Sequence, residues 1–538
     1  MMDFQSACRE LVKLILAGDI ASLEKLNRAK KAVIARYNLS RLPRNSDILA
    51  AAEDDEKALV KETLQRKPVR TISGVAVVAV MSSPYKCPHG LCVPCPGGPE
   101  SIFESPQSYT GYEPAALRAF QQDFDPYRQA TARLMQLKQI GHPIDKVELI
   151  VMGGTFTSRS LCYQEWFVRR CLEAMNDFGC EKHVMILLEH AQKVNETAHV
   201  RNVGITFETR PDWAKREHVD RMLKMGATKV ELGVQSVYDF VLRRMQRGHT
   251  VADVVEANTV LRDSGLKVGF HLMPGLPGSS FESDLKMFQR IFSDPRFKPD
   301  YLKIYPTLIV QGTQLYEMWR KGEYEPLMND VAVELIARAK MMLPRWTRLQ
   351  RIQRDIPARL IRAGVTKGNI RQLAVARLHE LGEKCQCIRC REVGHALLRG
   401  MTPKPEHIKL MVERYEACGG TEHFISFEDV EIPSERQNDI LIGFLRLRFP
   451  HDPHRPELKG AALVRELHIY GPMVPIGSRA KDEWQHRGYG EELLHEAERI
   501  AAEEGLEKIA VTSGIGVREY YRKLGYERIG PYMCKPVK

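Results

Sequence analysis

Cys87-Pro-His-Gly-Leu-Cys92-Val-Pro-Cys95-Pro-Gly-Gly98 is the stretch on which the reading of this chain turns. Its three thiols follow a run of β-branched and small apolar residues, 75–81, that reads as a buried strand, and no fourth cysteine lies nearby. An all-cysteine iron–sulfur cubane takes four thiolates, and a structural zinc site takes four ligands. Three thiolates at a strand end point instead to a 4Fe-4S cluster with one iron left open. S-adenosylmethionine fills such a position through its amino and carboxylate groups and serves as a radical source. Zinc and a redox pair are the competing readings of the triplet alone.

Working outward, similar short runs recur at 147–152, 203–208, 229–234, 268–273 and 301–306. Amphipathic helical stretches separate them at 115–140, 164–176, 212–225, 251–264 and 281–292. Six strand–helix alternations predict an α/β unit with a parallel sheet, curved into a partial barrel of six βα units. In such a fold the chemistry sits at the C-terminal strand ends. The candidates lie there: Gly153 and Gly154 after strand two, Glu208 and Arg210 after strand three, Gln235 after strand four. A glycine pair lets an amino group approach without a Cβ in the way. Glu208 suits a ribose diol and Arg210 a carboxylate, so the five residues form the expected S-adenosylmethionine site.

At 538 residues, with 43% hydrophobic and 27% charged side chains, the chain divides into several soluble units. No window approaches a membrane span, and no basic region precedes the short apolar run 11–16, so a cytoplasmic protein without a secretory signal is expected. The expected division is a helical segment at 1–70, the barrel at 71–335, a basic linker with a cysteine cluster at 336–400 and a separate α+β unit at 401–538. Twelve cysteines in such a chain favour metal chemistry over disulfides.

The net charge of +11 is localised, because residues 338–371 hold ten basic side chains and one acid. Arg345, Arg348, Arg351 and Arg354 recur every three residues, followed by Arg359 and Arg362. Arginines at that spacing lie along one side of a helix and track successive phosphates, and looped RNA is the favoured partner. A solvated helical face is the plainer alternative. Next comes Cys385-Gln-Cys387-Ile-Arg-Cys390, which reads as a structural zinc site lacking its last ligand. His379, His395 or Cys418 would complete it; a second cluster and buried unliganded thiols are the alternatives.

In the last unit, strands at 441–449 and 463–470 precede Gln485-His-Arg-Gly488-Tyr489-Gly490 and a helix at 491–504. Glycines there free backbone N–H groups for a pyrophosphate, aided by the helix dipole. The pattern is similar to the coenzyme A loop of GNAT acetyltransferases, in which a tyrosine such as one of Tyr520-Tyr521 commonly faces the sulfur.

A radical-SAM barrel joined to a GNAT domain resembles the catalytic subunit of the elongator complex and its single-chain archaeal and bacterial relatives. Ser108-Tyr-Thr-Gly-Tyr-Glu-Pro114, Thr206-Phe-Glu-Thr-Arg-Pro-Asp212, Glu466-Leu-His-Ile-Tyr-Gly471 and Arg518-Glu-Tyr-Tyr-Arg522 carry the likeness. The spacing of four then two residues between Cys87, Cys92 and Cys95 departs from the usual three then two and suits the prokaryotic-type members.

The resemblance implies conversion of the wobble uridine at position 34, in the tRNA anticodon stem-loop, to 5-carboxymethyluridine. It implies acetyl-CoA as carbon donor, S-adenosylmethionine radical chemistry, tRNA binding by the N-terminal helices and accessory elongator-type subunits. Acetyl-CoA contacts carry over to Lys146, Glu466, Leu467, His468, Ile469, Gly488, Tyr489, Gly490, Glu491 and Tyr521, with Lys146 and Tyr521 in catalytic roles. A protein lysine acetyltransferase with a structural iron–sulfur domain is the alternative, although a basic stripe would repel a lysine-rich peptide.

Overall fold

The structure, a computed structural model, describes residues 2–64, 71–181, 186–353, 355–430, 439–471 and 488–537. Strands β1 (Ala76–Met81), β2 (Lys146–Met152), β3 (Arg201–Thr209), β4 (Ala227–Gln235), β5 (Lys267–Leu272) and β6 (Tyr301–Ile304) are the six expected. β7 (Leu308–Val310) stands apart, and β8 (Arg348–Ile352) adds a seventh strand, giving the order β1-β2-β3-β4-β5-β6-β8. Every neighbouring pair in this sheet is parallel. β7 pairs antiparallel with β9 (Ile361–Gly364). Spatial order equal to chain order means each crossover steps one place in the same direction, as in a partial barrel.

Alternation along the strands divides the two faces of the sheet. Val147 and Leu149, Ile205 and Phe207, Val230 and Leu232, Val268 and Phe270, and Leu302 and Ile304 are fully buried in the main apolar core. The residues between them, including Glu148, Glu208, Lys229, Glu231, His271 and Lys303, take the other face. A polar-lined interior is thus written into a period-two pattern.

The N-terminal helices Met2–Leu16, Leu23–Arg36, Asn45–Ala50 and Asp54–Leu64 have their own small core, including Leu11, Val12, Leu26, Val33 and Val60. At the other end, β10 (Ile408–Ala417), β11 (Gly420–Asp429), β12 (Ile440–Phe449), β13 (Ala461–Ile469), β14 (Lys508–Val511), β15 (Glu527–Ile529) and β16 (Tyr532–Pro536) form a second sheet. Its order is β10-β11-β12-β13-β14-β16-β15, and only β13 and β14 are parallel. Their pairing stops at Val464 and Val511, so residues 465–469 part from β14. No described helix is long and apolar enough to cross a membrane.

The second sheet caps the N-terminal ends of the barrel strands. Asp300, just before β6, accepts from Arg465 at 2.7 and 2.8 Å and lies 3.6 Å from Arg446. Glu422 accepts from Arg262 at 2.8 Å, Arg448 at 3.0 Å and Arg465 at 2.7 Å, and Arg448 also reaches Asp263 at 2.5 Å. These groups are buried, so each charge depends on its partners; removing one from such a set costs about 3–5 kcal/mol. Gly514 and Gly516 bring the C-terminal unit against β3, where added Cβ atoms would stand 2.2 Å from the Val203 carbonyl oxygen and 2.5 Å from Arg201 Cβ.

The basic segment departs from its expected form. Its helix ends at Met341, and Arg348 and Arg351 lie on β8, the edge strand of the barrel, so the three-residue spacing does not mark a phosphate-tracking helix. Parallel pairing with β6 overrode the charge pattern. Arg354 lies outside the described residues. Nor is 336–400 a linker: Leu349, Leu378, Cys385 and Cys387 join the barrel core, whereas Ile388, Val393 and Ala396 join that of the C-terminal unit.

Candidate functional site

Cys87, Cys92 and Cys95 lie on the loop after β1, above the C-terminal strand ends. They line a cavity of about 750 Å³ shared with Gly154, Glu208, Arg210, Gln235 and Arg247. Cys92 Sγ lies 3.0 Å from His89 Nε2 and 3.5 Å from Arg247 Nη1. Cys87 Sγ is 3.4 Å from the Thr155 hydroxyl, and Gln107 Nε2 donates to Cys95 Sγ at 3.6 Å. Burial pushes the Cys87 thiol up and Cys95 up to about 11, where the neighbouring Cys92 adds to the effect. Thiols held that high ionise when a metal takes the proton's place.

Buried polar atoms around the triplet lack protein partners: His89 Nδ1, Arg210 Nη1, Gln235 Oε1 and Arg247 Nε. Such atoms are costly unless something meets them. Burial, then Arg210 and Arg247, lowers His89 to about 3, keeping it neutral. Gln235 closes β4 with φ +66°, a sparsely populated conformation for a non-glycine residue. Thiols at a strand end beside unmatched donors and acceptors fit an iron–sulfur cluster carrying a polar ligand.

The glycine pair and the acids serve the protein itself before any ligand. A Cβ on Gly153 would stand 2.2 Å from Ser82 Oγ, and one on Gly154 2.9 Å from Gln107 Cβ. Arg210 donates to both Asp212 oxygens, at 2.9 and 2.8 Å. Glu208 accepts from the Tyr109 hydroxyl at 2.9 Å and from Lys303 at 3.0 Å.

Below the thiols a ladder of buried charges follows the barrel interior. Lys303 bridges Glu208 and Glu231; Glu231 Oε2 also lies 3.0 Å from His271 Nε2. Lys229 stands 2.8 Å from Glu148 and 3.5 Å from Glu231. At the foot, Tyr301 donates to Glu466 of β13, which also accepts from Arg446 at 2.9 Å. Burial works against ionisation of Glu466, but Lys267 and Arg446 hold it down to about 2. The ladder therefore joins the thiol-lined cavity to the second sheet.

In the C-terminal unit, Gly488, with φ +93°, precedes the helix Tyr489–Glu503, and Gly490 and Glu491 lie in its first turn. Gln485, His486 and Arg487 lie outside the described residues. His468 Nε2 donates to the Ser73 carbonyl at 2.9 Å, while Leu467 and Ile469 pack on the local core. Lys146 opens β2 at the capped end of the barrel, where burial lowers its pKa. Tyr521 is buried on the helix Arg518–Lys523, and its ring meets those of Tyr520 and Tyr526. That helix is tied to the barrel by Glu196, which accepts from Arg518 at 3.1 Å and Arg522 at 2.8 Å.

The sulfurs of Cys385, Cys387 and Cys390 all lie within 4.8 Å of one another, as ligands of one ion must. None of the three residues expected to complete the set joins it. Cys418 Sγ lies 3.0 Å from Asn258 Nδ2, His395 Nε2 lies 3.1 Å from Glu392, and His379 is absent from the close group. The buried Lys340 ammonium lies 3.7 Å from Cys390 Sγ.

Of the arginine stripe, Arg345 pairs with Glu428 and Asp439, and Arg348 with Glu392, the Tyr470 hydroxyl and Ser73. Arg351 lines the cavity and pairs with Asp355 at 2.7 Å. Arg359 lies over the exposed Tyr112 ring at 5.1 Å, and Arg362 bonds Gln311. Among the described residues, the exposed part of the stripe is Arg351, Arg359 and Arg362. Sequence reasoning missed His89, Glu196, Arg247 and His271. Two of them left a local signal: His89 sits inside the cysteine stretch, and His271 is a polar residue on an otherwise largely apolar strand.

Four family models match the chain: the ELP3 N-terminal domain at 4–72, the Radical SAM superfamily at 81–291, the Radical_SAM C-terminal domain at 299–380 and the Acetyltransferase (GNAT) family at 395–526. A tRNA uridine(34) acetyltransferase of Methanocaldococcus jannaschii is 56% identical over 498 residues, 92% of this chain and 90% of the relative. Elongator complex protein 3 of Homo sapiens is 47% identical over 522 residues, 95% of this chain and 93% of the relative. Among solved structures, the archaeal Methanocaldococcus infernus Elp3 lacking residues 1–46 has a TM-score of 0.76 at 51% identity, covering 87% of this chain and all of that one.

Proposed function

Because the chain belongs to the family of the tRNA uridine(34) acetyltransferases and elongator complex protein 3, we propose that it forms 5-carboxymethyluridine at position 34 of tRNA from acetyl-CoA and S-adenosylmethionine. The observation that carries this reading is the single barrel with a thiol-lined cavity at one end and the GNAT sheet at the other, joined by buried charges from Glu208 to Glu466. A seven-residue strand such as β2 spans about 20 Å, so the two sites are separated along the barrel axis by about that length.

Cys87, Cys92 and Cys95 would hold a 4Fe-4S cluster, which with S-adenosylmethionine would supply one-electron chemistry able to break an unactivated C–H bond. His89 and Arg247 place hydrogen-bonding groups beside the Cys92 sulfur. Gly154, Glu208, Arg210 and Gln235 frame the space beside the thiols, with Gly153 supporting that loop. At the capped end, the turn of Gly488, Tyr489, Gly490 and Glu491, which opens the helix Tyr489–Glu503, would receive the pyrophosphate of acetyl-CoA. Lys146, Glu466, Leu467, His468 and Ile469 border the acetyl end there. The Tyr521 phenol, kept protonated by burial, donates to the thioester during hydrolysis.

Arg351, Arg359 and Arg362, with the N-terminal helices, hold the anticodon stem-loop over the cavity mouth. The thiols of Cys385, Cys387 and Cys390 hold a structural zinc ion balanced by Lys340. A cytoplasmic location and elongator-type partner subunits complete the reading.

The test is incubation of reduced, cluster-reconstituted protein with tRNA, acetyl-CoA and S-adenosylmethionine. Release of 5′-deoxyadenosine only when all are present, with carboxymethylated nucleoside, is the expected result. Acetylation of a lysine peptide that survives Cys92→Ser and needs no S-adenosylmethionine would favour a protein acetyltransferase instead.

A further inference from the structure

Among the described residues His271 is the one histidine lining the cavity, and the residue roles proposed for the tRNA reaction do not include it. It lies near the C-terminal end of β5, on the interior face. Its register partner on β6 is Lys303, and that of Glu208 on β3 is Glu231 on β4; Glu231 itself pairs with Gly269, so the two pairs are staggered by two residues on the interior face and are joined by their side chains. Gly269 leaves room for the Glu231 side chain: a Cβ there would lie 3.1 Å from Glu231 Cγ.

Glu208, Glu231 and His271 lie close enough together to hold a metal ion. The group already contains its cation, because the Lys303 ammonium bridges the two carboxylates. Attraction of those carboxylates outweighs burial and raises the Lys303 pKa. Lys303 therefore offsets part of the negative charge of the two carboxylates, and the group left for proton chemistry is the imidazole.

Resting on the proposed tRNA reaction, we propose that His271, oriented by Glu231, is the proton acceptor for the hydrogen on carbon 5 of the target uracil. Glu231 Oε2 accepts from Nε2 at 3.0 Å, which fixes the proton there and leaves Nδ1 as a base. No described side chain bonds Nδ1. The ring of Tyr305, edge-on to the imidazole at 5.4 Å, fixes its plane.

Other titratable groups around the cavity are engaged. Glu208 and Glu231 accept from Lys303, Glu113 from the Thr110 amide at 2.9 Å, and Asp355 from Arg351 at 2.7 Å. Burial raises the Tyr305 phenol, which therefore stays protonated.

The step balances. Addition of a carbon radical to carbon 5 forms one C–C bond and leaves one unpaired electron on the ring. Restoring the 5,6 double bond breaks the C5–H bond. The proton passes to His271 Nδ1, and one electron passes to an acceptor of the iron–sulfur class.

The test compares wild type, His271→Ala and Glu231→Gln as cluster-loaded full chains, supplied with tRNA, S-adenosylmethionine and acetyl-CoA carrying a deuterated methyl group. In His271→Ala, deuterated 5′-deoxyadenosine continues to form within about threefold of wild type. The yield of 5-substituted uridine per 5′-deoxyadenosine falls at least about tenfold, and added imidazole restores it, as expected for a lost general base. Glu231→Gln gives a smaller fall. Mass spectrometry of the tRNA should reveal a 5,6-dihydro adduct, the product of hydrogen uptake where proton loss is blocked.

An unchanged product ratio in His271→Ala overturns the assignment. So does loss of 5′-deoxyadenosine together with product, or a loss that imidazole leaves untouched, because each marks a binding or structural role. Absence of 5′-deoxyadenosine in the wild type overturns the underlying tRNA reading, and this proposal with it, before any variant is compared.

Discussion

Replacing Glu196 with Gln removes one negative charge from the seam between the barrel and the helix carrying Tyr521. Glu196 is 1% exposed, and Arg518 is almost equally buried. Burial would raise the Glu196 carboxyl, but hydrogen bonds from Arg522, Arg518 and Lys193 hold it at about 2, against an ordinary value of 4.5. At about 1.4 kcal/mol per pKa unit, the ionised form supplies about 3 kcal/mol to the native state. A depressed carboxylate contributes fully above its unfolded pKa, so this increment is present at pH 7 and is lost as the pH falls from about 4.5 towards 2.

Glu196→Gln also leaves Arg518 uncompensated, a loss of about 3–5 kcal/mol for a buried pair. The assay is hydrogen exchange of the 520–523 amides in wild type and variant, at pH 7 and pH 3. At pH 7 the variant should exchange about a hundredfold faster, and at pH 3 the gap should shrink. A variant within about 0.5 kcal/mol of wild type at pH 7, or a gap independent of pH, would show that this ion pair does not hold the helix.

Cys92→Ser should abolish S-adenosylmethionine cleavage while leaving acetyl-CoA affinity within about twofold by calorimetry, since the two sites lie at opposite barrel ends. Cys387→Ser should lower bound zinc from one equivalent to below about a third, measured by metal analysis of the purified protein, and Lys340→Met should weaken retention against a chelator. The exposed trio Arg351, Arg359 and Arg362, changed together to Gln, should flatten the dependence of tRNA affinity on salt by about two to three charges. Arg348→Ala should instead lower thermal stability with little effect on that slope, because its partners are Glu392 and Tyr470.

The barrel was legible because six short apolar, β-branched runs recur along the chain with amphipathic helical stretches between them. Apolar residues such as Val230 and Leu232 point to the helices, and Lys229 and Glu231 to the interior, with loop chemistry clustered after the C-terminal ends. The cysteine triplet and the Gly488 turn stood out because the chemistry proposed for them requires particular residue types at short spacing. β8 was not, because arginines every three residues fit a helical face as well as an edge strand, and only pairing with β6 decides. The fates of Arg345 and Arg348 were equally hidden, since Glu428 and Glu392 are distant in sequence. Glu196 and Arg247 meet partners distant in sequence, whereas His89 lies three residues from Cys92 within the cysteine stretch itself. Glu208 illustrates a different limit: its place at a strand end was evident, but its bonds to Tyr109 and Lys303 were not.

The sealed arginine and carboxylate seam around Asp300 and Glu422 bears on how reactants meet. Swinging one half away from the other would strip several ions of their counter-ions at once, a far steeper climb than thermal motion supplies within a turnover. The two halves are therefore held in fixed register, and under the proposed reaction it is the reactants and not the domains that would have to move between the two ends.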